Sequence, residues 1–252
     1  MTLKLCFLAA ALMVHGQDKR LTFEVASIKP MKPGDRGGGI KPKPAGQGYI
    51  VRGAPVKLMI NLMYKVPMKQ ITGGPAWLDT DLWDIEANAD HSYNIDDLHT
   101  MFQNLLADEF KLKFHKETKE GPVYALMVDK AGVKMKVNES AQDYEIPIGG
   151  GPDGVIGKRV PMQYLCYFLV QVLRNDDRPV IDKTGLTGNY DFTLSFAPEL
   201  PPNFPKENLP PGFLDRPTIF TALKEQLGLR LEPQKGPVEY YVIDHVEKPA
   251  AN

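Results

Sequence analysis

The stretch NIDDLHTMFQNLLADEFKLKFHKETKEGPVYALMV, residues 94–128, decides how this chain folds. Its first part repeats apolar residues at helical spacing, and its second part contains two strand-like runs. A shorter copy, DRPTIFTALKEQLGLRLEPQKGPVEYYVI, spans residues 215–243. Both copies pass from a leucine-bearing helix into L-x-[LF] and then reach Gly-Pro-Val. Because glycine and proline favour turns, the pattern predicts a hairpin after each helix.

The helix in the first copy is predicted to lie in the core. Asn94 is a good N-cap, and Asp96 and Asp97 suit the positive end of the helix dipole. Each large apolar side chain stabilises the fold by roughly 1.5–3 kcal/mol when buried. The stripe that we expect to be buried consists of Ile95, Leu98, Met101, Phe102, Leu105, Leu106 and Phe110. In the second copy, the matching face carries Ile219, Phe220, Leu223 and Leu227.

The same order of elements precedes both copies. A strand-like segment at 21–29 and a helix that opens at Pro55 come before the first copy, and Pro161 opens the corresponding helix before the second. The triplet Trp83-Asp84-Ile85 aligns with Tyr190-Asp191-Phe192. The sequence therefore predicts an α+β fold, a tandem duplication of a strand–helix–strand–helix–hairpin unit with mixed or antiparallel sheets. The expected parts are a signal peptide at 1–16, a first repeat at 17–137, a linker at 138–154 and a second repeat at 155–249.

The N-terminus has the features of a secretory signal. Lys4 precedes an apolar run, residues 5–14, that is too short to span a bilayer, and cleavage is expected after Gly16. An uncleaved N-terminal anchor is the alternative. No later run approaches the roughly 20 apolar residues of a membrane helix. We therefore expect an exported protein, periplasmic or extracellular, with no transmembrane segment in the mature chain.

Composition narrows the possible partners. The 252 residues are 43% hydrophobic and carry a net charge of −1, which is typical of a globular protein. Without a basic surplus, no nucleic-acid partner is predicted. Cys166 is the single cysteine after the predicted cleavage, so no internal disulfide is expected, and its apolar neighbours indicate a buried, inert side chain.

The Lys-Thr-Gly triplet and the histidines give no motif for catalysis or metal binding. Lys183-Thr184-Gly185 matches a β-lactamase triplet, but no serine precedes a lysine by three residues, so a turn is the simpler interpretation. The histidines have no metal-ligand spacing, although a site assembled from distant residues stays open. No metal and no cofactor are therefore predicted. The histidines after the predicted cleavage are His91, His99, His115 and His245.

Acidic residues crowd beside two tryptophans. Carboxylates beside aromatic rings are what a glycosidase uses, but the alternation of Asp84 and Glu86 also fits the polar face of a half-buried strand. The second interpretation is preferred, and no catalytic residue is predicted. The candidate binding residues are Trp77, Asp79, Asp81, Trp83, Asp84, Lys183 and Tyr190.

Five ordered blocks carry a resemblance to a known family. They are FEVASIKP (23–30), ITGGPAWLDTDLWDIEA (71–87), LLADEFKLKFHKETKEGPVYAL (105–126), DKTGLTGNYDFTL (182–194) and FTALKEQLGLRLEPQKGPVEYYVIDHVEKP (220–249). Together they resemble the uncharacterised "soil-associated protein" family of Gram-negative soil bacteria. The resemblance implies no assigned activity and no catalytic residues, and fusions among relatives suggest a sensory or binding role. By element order alone, each half is similar to the short N-terminal domain of secretins and TonB-dependent receptors.

These observations favour an exported, non-enzymatic binding or protein-interaction module, including a sensory one, with an unknown ligand. The partner would be another envelope protein or a small ligand, received at an edge strand or in a groove between the halves. The alternative is an exported, glycosidase-like hydrolase that uses the acidic cluster near Trp77 and Trp83. A purely structural role in the envelope is the third possibility.

Overall fold

The computed structural model describes residues 20–151, 154–173, 176, 178–197, 200, 205, 209, 212–213 and 215–250. The predicted signal peptide, residues 1–16, lies outside the described residues. The described chain contains both helices and strands. In order they are β1 (Val25–Pro30), β2 (Gly39–Pro42), β3 (Gly48–Pro55), α1 (Val56–Tyr64), β4 (Ile71–Gly73), α2 (Trp77–Thr80), β5 (Leu82–Asn88), α3 (Ile95–Glu109), β6 (Lys113–Val128), β7 (Lys136–Val137), β8 (Ile148–Gly151), β9 (Gly154–Pro161), α4 (Met162–Val172), β10 (Val180–Asp182), β11 (Asn189–Leu194), α5 (Ile219–Ala222, continued by a π-helical turn, Leu223–Leu227) and β12 (Leu229–His245).

The strands form three sheets of four strands each. The first has the order β1-β5-β3-β2 and the third has the order β7-β11-β9-β8, and both are antiparallel. The central sheet has the order β10-β6-β12-β4. In it, β6 and β12 pair antiparallel, while β10 and β4 run parallel to their neighbours. The prediction of an α+β fold is confirmed.

The predicted hairpins are wrong. The structure has one uninterrupted strand, β6, where the first hairpin was expected, and it pairs along its length with β12, with Gly121 opposite Gly236. Neither glycine has a positive φ, so the chain does not turn at either Gly-Pro. Pro122 and Pro237 are tolerated because β10 and β4 each cover only three residues of the long strands, and proline is accepted where a strand has an open edge.

Two hydrophobic cores flank the central sheet, one with the first sheet, α1 and α3, the other with the third sheet, α4 and α5. The predicted stripe of α3 is buried as expected, but Phe220 on α5 is 40% exposed and packs edge-on against Tyr124. Both long strands contribute to both cores. Leu126 of β6 and Leu229 of β12 lie in the second core, and Tyr241 of β12 lies in the first. The two cores are therefore joined by shared strands.

Local signals explain where several helices begin and end. The side chain of Asn94 accepts a hydrogen bond of 2.9 Å from the amide of Asp97, which caps α3. Gly228, at φ 69°, ends the last helix in the left-handed conformation that glycine favours. The predicted limits of the repeats stay predictions, and β8 lies within the stretch that was expected to be a linker.

Among the described residues, no helix combines the length and the apolar character that a membrane crossing requires.

The start of β3 provides a test of the sheet geometry. Gly48 has φ 134°, and a Cβ added there would lie 2.0 Å from the carbonyl oxygen of Ala87 on β5. Gly39 also has a positive φ, 76°, but nothing lies within 4 Å of an added Cβ. We expect Gly39→Ala to lower the free energy of unfolding by about 1–2 kcal/mol through backbone strain. Gly48→Ala adds a backbone collision and should cost about 3 kcal/mol or more.

Urea unfolding of both variants measures these losses. Equal losses for the two substitutions would contradict the close approach of β3 and β5.

Candidate functional site

Three of the predicted binding residues lie together on or beside α2. The carboxylate of Asp79 lies 3.1 Å from the ammonium of Lys57, and that of Asp81 lies 2.6 Å from the ammonium of Lys248. Lys248 also lies 5.7 Å from the ring centre of Trp77, and its hydrogen bond lowers the pKa of Asp81. The acidic groups of this surface patch are therefore each held by a lysine.

Trp83 and Asp84 take part in the packing and the strand pairing of the first sheet. Trp83 is buried and packs edge-on against Phe110, with ring centres 5.4 Å apart. Asp84 accepts a hydrogen bond of 2.9 Å from the backbone amide of Gly53, at an irregularity in the pairing of β3 with β5. The side chain of Asp84 is thus used to hold a neighbouring strand.

Lys183 and Tyr190 lie in other elements. Lys183 is exposed in the turn after β10, where Asp182 accepts hydrogen bonds from both the amide and the hydroxyl of Thr184. This Asx-type turn agrees with the turn interpretation of the triplet. Tyr190 is buried in β11 of the third sheet. The structure therefore groups the predicted residues of α2 and β5 but does not bring Lys183 or Tyr190 to them.

The surroundings of the cysteine and of two histidines shift the pKa of each side chain. Burial raises the pKa of the Cys166 thiol to about 12 and lowers the pKa of His99 to about 4. His99 contacts the hydroxyl of Tyr49 through Nε2, at 3.0 Å. His115 is exposed, and hydrogen bonds to Asp244 and Glu117 raise its pKa. In the part of the chain that the structure describes, no group of three His, Cys, Asp or Glu side chains is placed to hold a metal ion.

A concave site that contains none of the candidate binding residues runs along α4. Three cavities with shared lining residues, of about 170, 220 and 320 Å³, lie in a row between α4 and the segment that joins α1 to β4. We call this row the α4 groove. Its walls come from both halves of the chain, so it is the groove between halves that the sequence analysis considered. The residues shared between neighbouring cavities are Pro67, Gln70, Val170 and Pro179 at one junction, and Lys65 and Gln163 at the other.

The two halves meet directly beside the groove. The hydroxyl of Tyr167 on α4 donates a hydrogen bond of 3.0 Å to the side-chain oxygen of Asn61 on α1. The amide nitrogen of Asn61 in turn donates to the carbonyl of Val66, at 2.7 Å. Both side chains are buried, so this pair fixes α4 against the start of the opposite wall.

The two ends of the groove contain ion pairs. At one end, Lys65 lies 2.9 Å from Asp96, and Arg159 lies 2.7 Å from Asp143. At the other end, the guanidinium of Arg178 binds Asp176 and lowers the pKa of that carboxyl to about 2.

The middle of the groove contains an unpaired amide. Gln70 is 9% exposed, lines two of the cavities, and finds no hydrogen-bond partner for its side chain among the described residues. The fully buried side-chain atoms without a partner among the described residues are Trp83 Nε1 and His99 Nδ1, so the amide of Gln70 keeps contact with the space of the groove. In sequence, this glutamine is one polar residue before a short strand, and nothing local distinguishes it.

The comparisons with known proteins identify a family but no activity. No curated protein and no solved structure matches the chain. A family model described as "Protein of unknown function (DUF3738)" matches residues 57–246, and both walls of the α4 groove lie within this range. Because the match covers well over half of the sequence, the chain belongs to the DUF3738 family of proteins of unknown function.

Proposed function

We propose that this protein is an exported, non-enzymatic binding module whose ligand occupies the α4 groove, with a sensory role as one form of that function. The α4 groove itself carries the proposal, because it is a row of cavities built from both halves and fixed by the contact of Tyr167 with Asn61. Concave sites with a few convergent polar groups are where proteins bind ligands. Export rests on the apolar run at residues 5–14, and the partner is an envelope protein or a small ligand.

A binding role is favoured over hydrolysis by the state of the acidic residues. Glycoside hydrolysis needs two carboxyl groups that face one substrate. Asp79 and Asp81 are paired with lysines, and Asp84 accepts the amide of Gly53. The glycosidase-like alternative therefore gains no support from the geometry of these three side chains.

The proposal includes the duplication of one ancestral unit. The strand order β1-β5-β3-β2 of the first sheet corresponds to the order β7-β11-β9-β8 of the third. Asp84 on β5 and Asp191 on β11 are equivalent residues, and each binds a backbone amide of the neighbouring strand. Each accepts a backbone amide at 2.9 Å, from Gly53 and from Arg159, and both of those donors have a positive φ. A copied unit explains why an arginine occupies a left-handed position that glycine fills in the other half. We also propose that the chain is related to the soil-associated family and that each half is similar, by element order, to the short domain of secretins.

The two aspartates provide a stability test. Replacing Asp84 or Asp191 by alanine leaves a backbone amide without its acceptor, so each variant should lose about 1–3 kcal/mol of unfolding free energy at neutral pH. Asp84→Asn and Asp191→Asn keep an acceptor oxygen and should lose less. The amide of Arg159 lowers the pKa of Asp191, so its stabilisation is present above the ordinary aspartate pKa and is lost as the pH falls through the lowered one.

Urea unfolding between pH 7 and pH 2 measures these losses. A large loss at one aspartate and none at the other would contradict their equivalence.

The groove is tested by filling it. A library of small neutral fragments is screened by NMR against the ¹⁵N-labelled wild type and against Val170→Trp, with the exposed Val25→Trp as the matched control. We expect fragments to shift the amide signals of residues 68–70 and 163–170 in the wild type and in the control, and to lose binding at least tenfold in Val170→Trp.

Fragments that bind elsewhere, or equally to Val170→Trp, would contradict the proposed site. The same wild type should release no product from a panel of chromogenic glycosides and esters. Turnover that Asp79→Asn or Asp84→Asn abolishes would establish the hydrolase instead.

A further inference from the structure

We infer that the ligand of the α4 groove is an extended peptide segment, one of whose backbone amides pairs with the side chain of Gln70. The inference rests on the groove proposed above and names the chemistry that it recognises. Three features carry it: an amide that lines the cavity without a described partner, wall charges of which several already lie in ion pairs, and a strand edge that lines the same cavity.

The amide of Gln70 is the first feature. Its residue is 9% exposed, yet it lines two neighbouring cavities, and no described residue hydrogen-bonds its side chain. A primary amide offers a donor and an acceptor in one plane. A residue of an extended peptide points its own N–H and C=O to the same side, so the two backbone groups of one residue can satisfy both ends of the Gln70 amide together. A carboxylate or an ammonium ligand satisfies only one of them.

The charges on the walls are the second feature. Lys65 pairs with Asp96 at 2.9 Å, and Glu239 pairs with Lys116 at 3.0 Å. Asp176 at the end of the groove is bound by Arg178. A ligand that binds to any of these charges would have to displace an ion pair. Asp182, which also lines the cavity, accepts two hydrogen bonds from Thr184. A neutral backbone amide can bind without displacing an ion pair.

The edge of the central sheet is the third feature. β10 is an outer strand of that sheet, and Val180, Ile181 and Asp182 line the cavity that contains Gln70. An outer strand presents backbone groups that an added extended segment can pair with, while pockets receive its alternate side chains. Pro67, Val170 and Pro179 provide apolar surfaces for those side chains. The cavities lie in a row, which suits an extended chain better than a compact molecule.

The experiment selects a phage library of random linear heptapeptides on the wild-type protein. The enriched peptides are synthesised, and their affinities are measured by calorimetry for the wild type, Gln70→Leu and Gln70→Glu. Gln234→Leu, an exposed glutamine outside the groove, is the matched control. A series in which one backbone amide at a time is replaced by an ester oxygen locates the amide that Gln70 binds.

We expect a tenfold or greater loss of affinity in Gln70→Leu and Gln70→Glu, because leucine lacks both hydrogen-bonding groups and a glutamate carboxylate lacks the donor. Gln234→Leu should bind as the wild type does, and one ester position should weaken binding to the wild type but not to Gln70→Leu. Unfolding curves check that each variant is folded.

Peptides that bind Gln70→Leu as tightly as the wild type would overturn the inference, and so would an ester series without a sensitive position. If no peptide is enriched while neutral fragments still bind in the groove, the peptide inference fails and the binding function stands. If neither peptides nor fragments bind, both fail, and Gln70 faces a cavity that holds solvent only.

Discussion

The pairing of β6 with β12 is the constraint on which the rest of this structure depends. Each long strand begins beside one hydrophobic core and ends beside the other, so neither half can complete its core without a strand from the other half. The edge strand β4 also pairs with β12, and β10 pairs with β6, so the central sheet interleaves the two halves. Non-local pairing of this kind couples the halves energetically as well as geometrically.

The α4 groove is a consequence of this exchange of strands. Because α1 and α4 are carried on opposite halves and both lie over the central sheet, the space between them has walls of mixed origin. The buried contact between Tyr167 and Asn61 holds those walls at a fixed distance. A site preorganised in this way loses little conformational freedom when a ligand binds.

Sequence patterns predicted the elements whose signals are local. The spacing of Leu98, Phe102 and Leu105 specifies the buried face of α3, and Asn94 specifies its start, because both signals lie within a few residues. The hairpins were missed because Gly-Pro is a turn signal in most settings. Here the competing interaction is the pairing of Gly121 with Gly236, which are far apart in the chain.

The candidate site was harder to predict for the same reason. Trp83 and Tyr190 were among the candidate binding residues, but the alternation of their strands points both side chains inward. Asp84 was selected because it is a carboxylate. In the structure this carboxylate accepts a hydrogen bond from the backbone amide of Gly53 on the neighbouring strand. Gln70 becomes distinctive only through burial and the absence of a described partner, and neither property exists before the halves come together.

Native-state hydrogen exchange of the slowest amides in the first and third sheets tests the shared-strand account most directly. If β6 and β12 join the cores, those amides should exchange through one common opening with the same free energy in both sheets. Two separate opening free energies, one for each half, would show that the halves unfold independently and would contradict the account.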